Sequence, residues 1–401
     1  MVINMKKMVF RVIQFFIRIG ISLIKWKTEE VIVGENTLEE IPQKLISKKF
    51  KKIFLITDPY IYNLGLCQKI EESFKKENLE YFVYKDVCSN PTIDSIENAL
   101  HIYKETGCEA ILAVGGGSVL DTAKLLGARF SNSKQTLKQM RGYFKIRKKI
   151  PYLVVVPTTA GSGSEATIVG VVSDKNTHEK YAVTSLKLLP NMVVLDPVIT
   201  KNLPPLVTAY TGMDALTHAL ECYIGKANTK ETKKQSLEAI KKIWKNLELV
   251  VREPHNLEAR SAMQEASFLA GSAFTRGFVG YVHALAHPLS GFYNTPHGLA
   301  NAVLLPKVLK RYQKTIDKDM YVLYKELGYL ETVNKAEARN IIINEIEELN
   351  YKIGIPEKIN GVREEDLEEM VNRCMKEAHP MYPVPKILSK EELINIYKEI
   401  I

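Results

Sequence analysis

A chain of 401 residues exceeds the length over which one hydrophobic core usually keeps growing, which predicts two domains. With 46% hydrophobic and 25% charged residues it has the make-up of an ordinary globular protein, which excludes disorder as its dominant state. The net charge of +9 suggests nucleic acid only until it is located. Six cations (Lys6, Lys7, Arg11, Arg18, Lys25, Lys27) and no acid fall in the first 27 residues, which leaves +3 for the rest, and no groove-reading or base-stacking motif follows, so no nucleic-acid partner is expected.

The leading segment is mostly apolar from Met8 to Ile24, with Arg11, Gln14, Arg18, Ser22 and Lys25 recurring at three- and four-residue steps. That is one narrow polar stripe on an otherwise apolar helix. Two arginines inside the run argue against a spanning segment, and no small-residue cleavage site follows. The segment reads either as a basic amphipathic helix on a membrane or as an extension packed on the protein's own body or across a subunit interface. We favour the second reading and set residues 1–27 apart from the rest.

From about Lys27 to Leu203, short β-rich runs alternate with helical patterns. Candidate strands are Ile53–Ile56, Tyr81–Tyr84, Ile111–Val114, Leu153–Val156 and Met192–Leu195, several of them unbroken apolar runs as in parallel strands covered on both faces. A helical pattern over Thr92–Thr106 follows Asn90-Pro91. Such alternation predicts an open α/β sheet with right-handed crossovers over residues 28–203.

Three places in this half invite a ligand. Asp58 closes the run Lys52–Thr57, where a carboxylate could accept from an adenosine ribose hydroxyl and favour NAD over NADP; it could equally cap a helix before Pro59. Gly115-Gly116-Gly117-Ser118 ends one strand and opens a helix. Missing side chains let the backbone approach a pyrophosphate there, although a tight turn alone would also use glycine. Ser118 and Asp121 have the spacing of a capping box. The usual dinucleotide order, glycines first and the acid about 20 residues later, is absent. The loop Pro157–Glu165 (PTTAGSGSE) follows a buried strand with more small and hydroxyl residues than a plain connection needs.

After Pro204-Pro205, read as a hinge, helical patterns dominate: Val207–Ile224, Glu231–Val251, Glu258–Thr275, Ala336–Tyr351 and Glu364–Lys376. Residues 204–401 are therefore expected to form a mostly helical domain. Asp214 and His218 stand four apart, one above the other on a helix face. His283, His287 and His297 put three of the chain's eight histidines within fifteen residues. One carboxylate with imidazoles suits Fe²⁺ or Zn²⁺ better than Mg²⁺ or Ca²⁺. The five cysteines form no CxxC pair, which reads as reduced thiols of a cytoplasmic protein.

Four motifs, Gly115–Ser118, PTTAGSGSE at 157–165, GMDALTHALE at 212–221 and VHALAHPLSGFYNTPHG at 282–298, together resemble the iron-containing (group III) alcohol dehydrogenases over roughly residues 30 to 310. The resemblance implies an N-terminal α/β dinucleotide-binding domain, an all-α C-terminal domain, the dehydroquinate synthase-like architecture, and a metal site in the cleft between them. It implies hydride transfer between NAD(H) and a small primary alcohol or aldehyde, by an enzyme that is often a homo-oligomer. The implied metal ligands are Asp214, His218, His283 and His297, for Fe²⁺ or alternatively Zn²⁺, with His287 as the active-site histidine near the nicotinamide. Gly115, Gly116, Gly117 and Ser118 match the pyrophosphate loop; Thr158, Thr159 and Lys180 would line the cofactor cleft; Asp58 and Asn90 match cofactor contacts. Ser162 replaces a common Thr and Ser290 a common Gly. Residues before about 26 lie outside the resemblance.

Overall fold

A computed structural model describes residues 2–26, 29–175 and 179–401. Lys27, the sixth cation of the leading segment, lies outside the described residues. Two compact units emerge: Trp26–Asn202, and Leu203–Ile401 together with the chain up to Lys25.

The first unit carries nine strands among its described residues: β1 (Glu30–Val33), β2 (Lys52–Ile56), β3 (Glu80–Tyr84), β4 (Ala110–Gly115), β5 (Gly142–Tyr143), β6 (Tyr152–Pro157), β7 (Val169–Asp174), β8 (Glu179–Thr184) and β9 (Met192–Leu195). Six of them form a sheet in the order β1-β9-β6-β4-β2-β3, parallel throughout. Leu112, Val114, Val154 and Val156 face a core shared with Ile41, Leu45, Ile70 and Phe74, and their neighbours Ile111, Ala113 and Val155 are equally buried. Burial on both faces explains the unbroken apolar runs. The chain runs outward from β2 to β3 and then returns to place β4 on the other side of β2. This reversal sets the carboxyl ends of β2, β4 and β6 side by side, the place where open α/β sheets bind ligands.

Three features depart from expectation. The half-exposed edge strand β1 was not anticipated, because its residues alternate and only four are paired. The small sheet β5-β8-β7 was missed too, since β5 is only two residues long and β7 and β8 are partly polar and partly exposed. The capping box at Ser118 and Asp121 does not form. The helix Gly117–Ser131 starts two residues earlier than a cap at Ser118 would set it, with Gly116 at its N-cap and no side-chain cap. Ser118 Oγ instead donates to the Ser89 carbonyl. Asp121 accepts from Ser164 Oγ at 2.8 Å and from Val171 N–H at 3.1 Å.

In the second unit, Pro205 opens the helix Pro205–Ile224, where a missing N–H is harmless. Lys230–Arg252 and Leu257–Gly277 pack beside it, and Tyr281–Tyr293 and His297–Tyr312 follow. The last two contain Pro288 and Pro306, which blurred their helical pattern in the sequence. The N-terminal helix, Val2–Leu23, is bonded to this unit by its polar stripe: Arg11 donates to the Val384 and Pro385 carbonyls, and Gln14 to those of Pro380 and Tyr382.

Candidate functional site

Of the residues expected at a nucleotide site, Asp58, Gly115 to Ser118, Thr158 and Thr159 follow or close β2, β4 and β6. A side chain at Gly115 is impossible as built, since its Cβ would lie 2.4 Å from Val119 Cγ2; strand and helix meet too closely. Thr158 N–H donates to the Gly115 carbonyl at 3.1 Å, and Thr57 Oγ1 to that of Val114 at 2.7 Å, so all three strand ends are tied together. Thr159 lies over Gly116, about van der Waals distance from where a Cβ would sit. Thr158 Oγ1 is buried without a hydrogen bond. Asp58 caps the helix Pro59–Asn63, accepting from Ile61 N–H at 2.9 Å. Asn90 is exposed in the turn next to the Ser89 carbonyl that holds Ser118, and Lys180 is exposed on β8.

The 157–169 loop rests on a buried cation that sequence reasoning missed. Lys124, fully buried, donates to Ser164 O at 2.5 Å, Ser164 Oγ and Thr167 O at 3.0 Å, and Val169 O at 2.9 Å. Burial pushes its pKa down to about 8, with Asp121 and Glu165 pulling the other way.

Three of the four expected donors meet in the helical unit, with His218 stacked beside them. Asp214 and His218 lie one turn apart on Pro205–Ile224, both buried. His283 sits in the first turn of Tyr281–Tyr293 and His297 begins His297–Tyr312. Asp214 Oδ1 is 3.6 Å from His283 Nε2 and 3.5 Å from His297 Nε2. One ligand atom each of Asp214, His283 and His297 falls within 4.8 Å of the others. The His218 ring stacks on His283, centroids 4.3 Å apart, beside that trio. Gly298 makes the convergence possible. A Cβ there would sit 2.1 Å from the Tyr210 carbonyl, so only glycine lets the two helix backbones come this close.

Electrostatics match the geometry. Burial opposes charge on Asp214, yet His218, His297 and His283 hold its carboxyl well below the usual range. Burial likewise opposes charge on His283, but Asp214 and Glu221 outweigh it and raise the ring to about 9. His297 is pushed well below 6.5, first by desolvation and then by the other imidazoles, Asp214 acting against them. Both buried carboxylates therefore favour positive charge at this point, a charge that a divalent cation could supply instead. His283 Nε2 is buried and makes no hydrogen bond, although it faces Asp214. An orphaned donor atom, a carboxylate and further imidazoles fit a transition metal.

Three supporting residues went unrecognised in the sequence. Glu221 accepts from the Gly280 and Val282 N–H groups and from His283 Nδ1, each at 2.7 Å. Its place seven residues after Asp214, on the same helix face, was the available signal. Asn301, buried one turn after His297, donates to Asp214 Oδ1 at 2.7 Å and touches His297 Nε2 at 3.1 Å. Glu377, ninety residues from its partner, receives His287 Nδ1 at 2.8 Å and Tyr382 OH at 2.7 Å. Although burial favours its neutral form, His287 and Tyr382 lower its pKa, so it accepts and the imidazole Nδ1 must donate. His287 itself is solvent-exposed and stacks on His297 at 5.3 Å.

Known proteins resemble this chain over most of its length. The iron-containing alcohol dehydrogenase profile matches residues 28–197, and the profile of the C-terminal part of the Fe-containing alcohol dehydrogenase family matches 208–401. Alcohol dehydrogenase 4 of Saccharomyces cerevisiae is 33% identical over 371 residues, 91% of this chain and 95% of its own length. The 1,3-propanediol dehydrogenase of Klebsiella pneumoniae is 33% identical over 372 residues, 91% of this chain and 95% of its own. A crystal structure of 1,3-propanediol oxidoreductase superposes with a TM-score of 0.90 at 30% identity, covering 94% of this chain and all of the other.

The chain belongs to the iron-containing alcohol dehydrogenase family. It has that family's α/β N-terminal and helical C-terminal fold, and it is an NAD(H)-dependent oxidoreductase of CH–OH groups that uses Fe²⁺.

Proposed function

We propose that the substrates are small primary alcohols and their aldehydes, and that Asp214, His218, His283 and His297 hold the metal. The observation that carries this is the convergence of Asp214, His283 and His297 from three separate helices, with His283 Nε2 buried and unbonded toward the shared point. When bound, the divalent ion supplies Lewis acidity toward a substrate oxygen and NADH supplies the hydride.

The chain's own residues position and exchange protons. Glu221 accepts a hydrogen bond from His283 Nδ1–H, which fixes the ring and leaves Nε2 for the ion. Asn301 holds Asp214 from the other side. His287 gives its Nδ1–H to Glu377, so its Nε2 is the atom available to exchange a proton with the alcohol oxygen and then with solvent. In the other unit, Gly115, Gly116, Gly117 and Ser118 receive the pyrophosphate. Thr158 and Thr159 line the nucleotide path, with Asn90 and Lys180 at its margin. Asp58 keeps one oxygen for its cap and offers the carboxylate to the ribose, which favours NAD over NADP. The enzyme acts as a homo-oligomer in the cytoplasm; its five free cysteines, four of them buried, suit a reducing compartment.

Anaerobic reconstitution with Fe²⁺ followed by NADH oxidation with butyraldehyde, lactaldehyde and succinic semialdehyde tests the reading. Turnover of at least one is expected, with about one metal ion per chain. Metal-loaded protein that oxidises NADH with none of them refutes the substrate assignment.

A further inference from the structure

The N-terminal helix is apolar over most of its circumference, and only one side of it is covered. Surface helices ordinarily turn their apolar face to the core. Here the inward side is mixed: half-buried Phe10, Ile13, Ile17 and Ile21 share it with polar groups, for Gln14 is buried, Lys7 Nζ reaches the Ile387 carbonyl at 3.0 Å, and Arg11 spans the carbonyls of Val384 and Pro385 at 2.7 and 3.0 Å. A second, wide apolar face is left outside. Met8 is 68% exposed, Phe15 57%, Phe16 65% and Leu23 80%, with Met5, Val9, Val12 and Ile19 on the same side. So large a continuous apolar surface marks something that covers it.

Charge identifies the cover. No acid precedes Glu29. Successive residues turn by about 100°, which puts exposed Lys6 and Arg18 on opposite flanks of the apolar face. Lys25, just past the helix end, is exposed as well. Two copies joined through this face would bring like charges together with no acid on the helix to neutralise them. An anionic lipid surface accepts the apolar face and pairs the flanking cations at once. No helix of the described residues is long and apolar enough to cross a bilayer, so the contact lies in the interface plane. The segment also precedes the family profile, which begins at residue 28, so the chemistry of the active site does not account for it.

We infer that the helix Val2–Leu23 docks the enzyme peripherally on anionic lipid bilayers through Met8, Phe15, Phe16 and Leu23, with Lys6 and Arg18 pairing lipid headgroups.

Flotation of the full chain with phosphatidylcholine vesicles, with or without phosphatidylglycerol, tests this. Binding about tenfold or more above that to neutral vesicles is expected, falling with added salt. A Phe15→Asp/Phe16→Asp variant should lose flotation while keeping turnover in solution. A Lys6→Glu/Arg18→Glu variant, which retains the whole apolar face, should lose the preference for phosphatidylglycerol. No flotation of the wild-type chain with anionic vesicles overturns the inference. So does equal binding to both vesicle types, or sedimentation velocity showing that the aspartate variant only dissolves a larger oligomer.

Discussion

The two ligand regions are made of different material. Around β4 and β6 the site is backbone: glycines, a strand end and a helix start, steadied from beneath by Lys124 and Asp121. In the helical unit the site is side chains: Asp214, His283 and His297 point at one place because three helices hold them there. A backbone site is set by main-chain approach and fails when a Cβ intrudes. A side-chain site is set by donor identity and fails when one donor is lost. Substitutions in one region should therefore leave the other region's ligand in place.

The strongest way to break this contrast is His283→Ala. Removal of one donor leaves Asp214 and His297 without their buried neighbour, and Glu221 without the imidazole N–H it accepts from. Turnover is expected to fall by at least about a thousandfold. Elemental analysis should find little retained metal, while NADH binding followed by fluorescence stays near the wild-type value. Full metal content with a normal rate would remove His283 from the ligand set.

Glu221→Gln probes the same region one step out. The amide keeps the volume but cannot accept from three N–H groups as a carboxylate does. Metal affinity should weaken about 10- to 100-fold and recover as metal is added, whereas the KM for NADH stays unchanged. A chelator competition titration measures it. Unchanged affinity would make Glu221 a packing residue only.

How far each region could be read from sequence follows from the same contrast. The buried strands were legible because β2, β4, β6 and β9 are apolar on both faces, whereas β1, β7 and β8 are partly exposed and mix polar with apolar residues. Asp214 and His218 were legible because helical spacing puts them on one face. Glu221 was not, since its partners lie 59 to 62 residues away. Glu377 is farther still from His287. Ser118 and Asp121 had the spacing of a capping box, but a tertiary demand for Asp121 at Ser164 and Val171 overrode it. The polar stripe of the leading helix could not be oriented from its own pattern. Its acceptors are carbonyls of a stretch holding Pro380, Pro383 and Pro385, where prolines rule out a regular ladder and leave carbonyls to be satisfied by side chains.

Gly115→Ala is the counterpart in the backbone region. The new methyl would have to displace Val119, whose Cγ2 lies 2.4 Å from its position, and so spread the strand end from the helix start. The KM for NADH should rise about tenfold or more while metal content stays at the wild-type level. Metal loss in this variant would mean that the two regions are not independent.

The smallest effect is expected from Asp58→Asn, which separates two uses of one side chain. Asparagine caps helices about as well as aspartate, so the bond to Ile61 N–H survives and thermal stability should change little. What disappears is the negative charge, which repels a 2′-phosphate and accepts from a ribose hydroxyl. The ratio of kcat/KM for NADH over NADPH should then drop several-fold, mainly because NADPH improves. If the ratio stays fixed while the variant melts at a lower temperature, Asp58 acts only as a cap, and cofactor choice is made by the backbone around Gly116 instead.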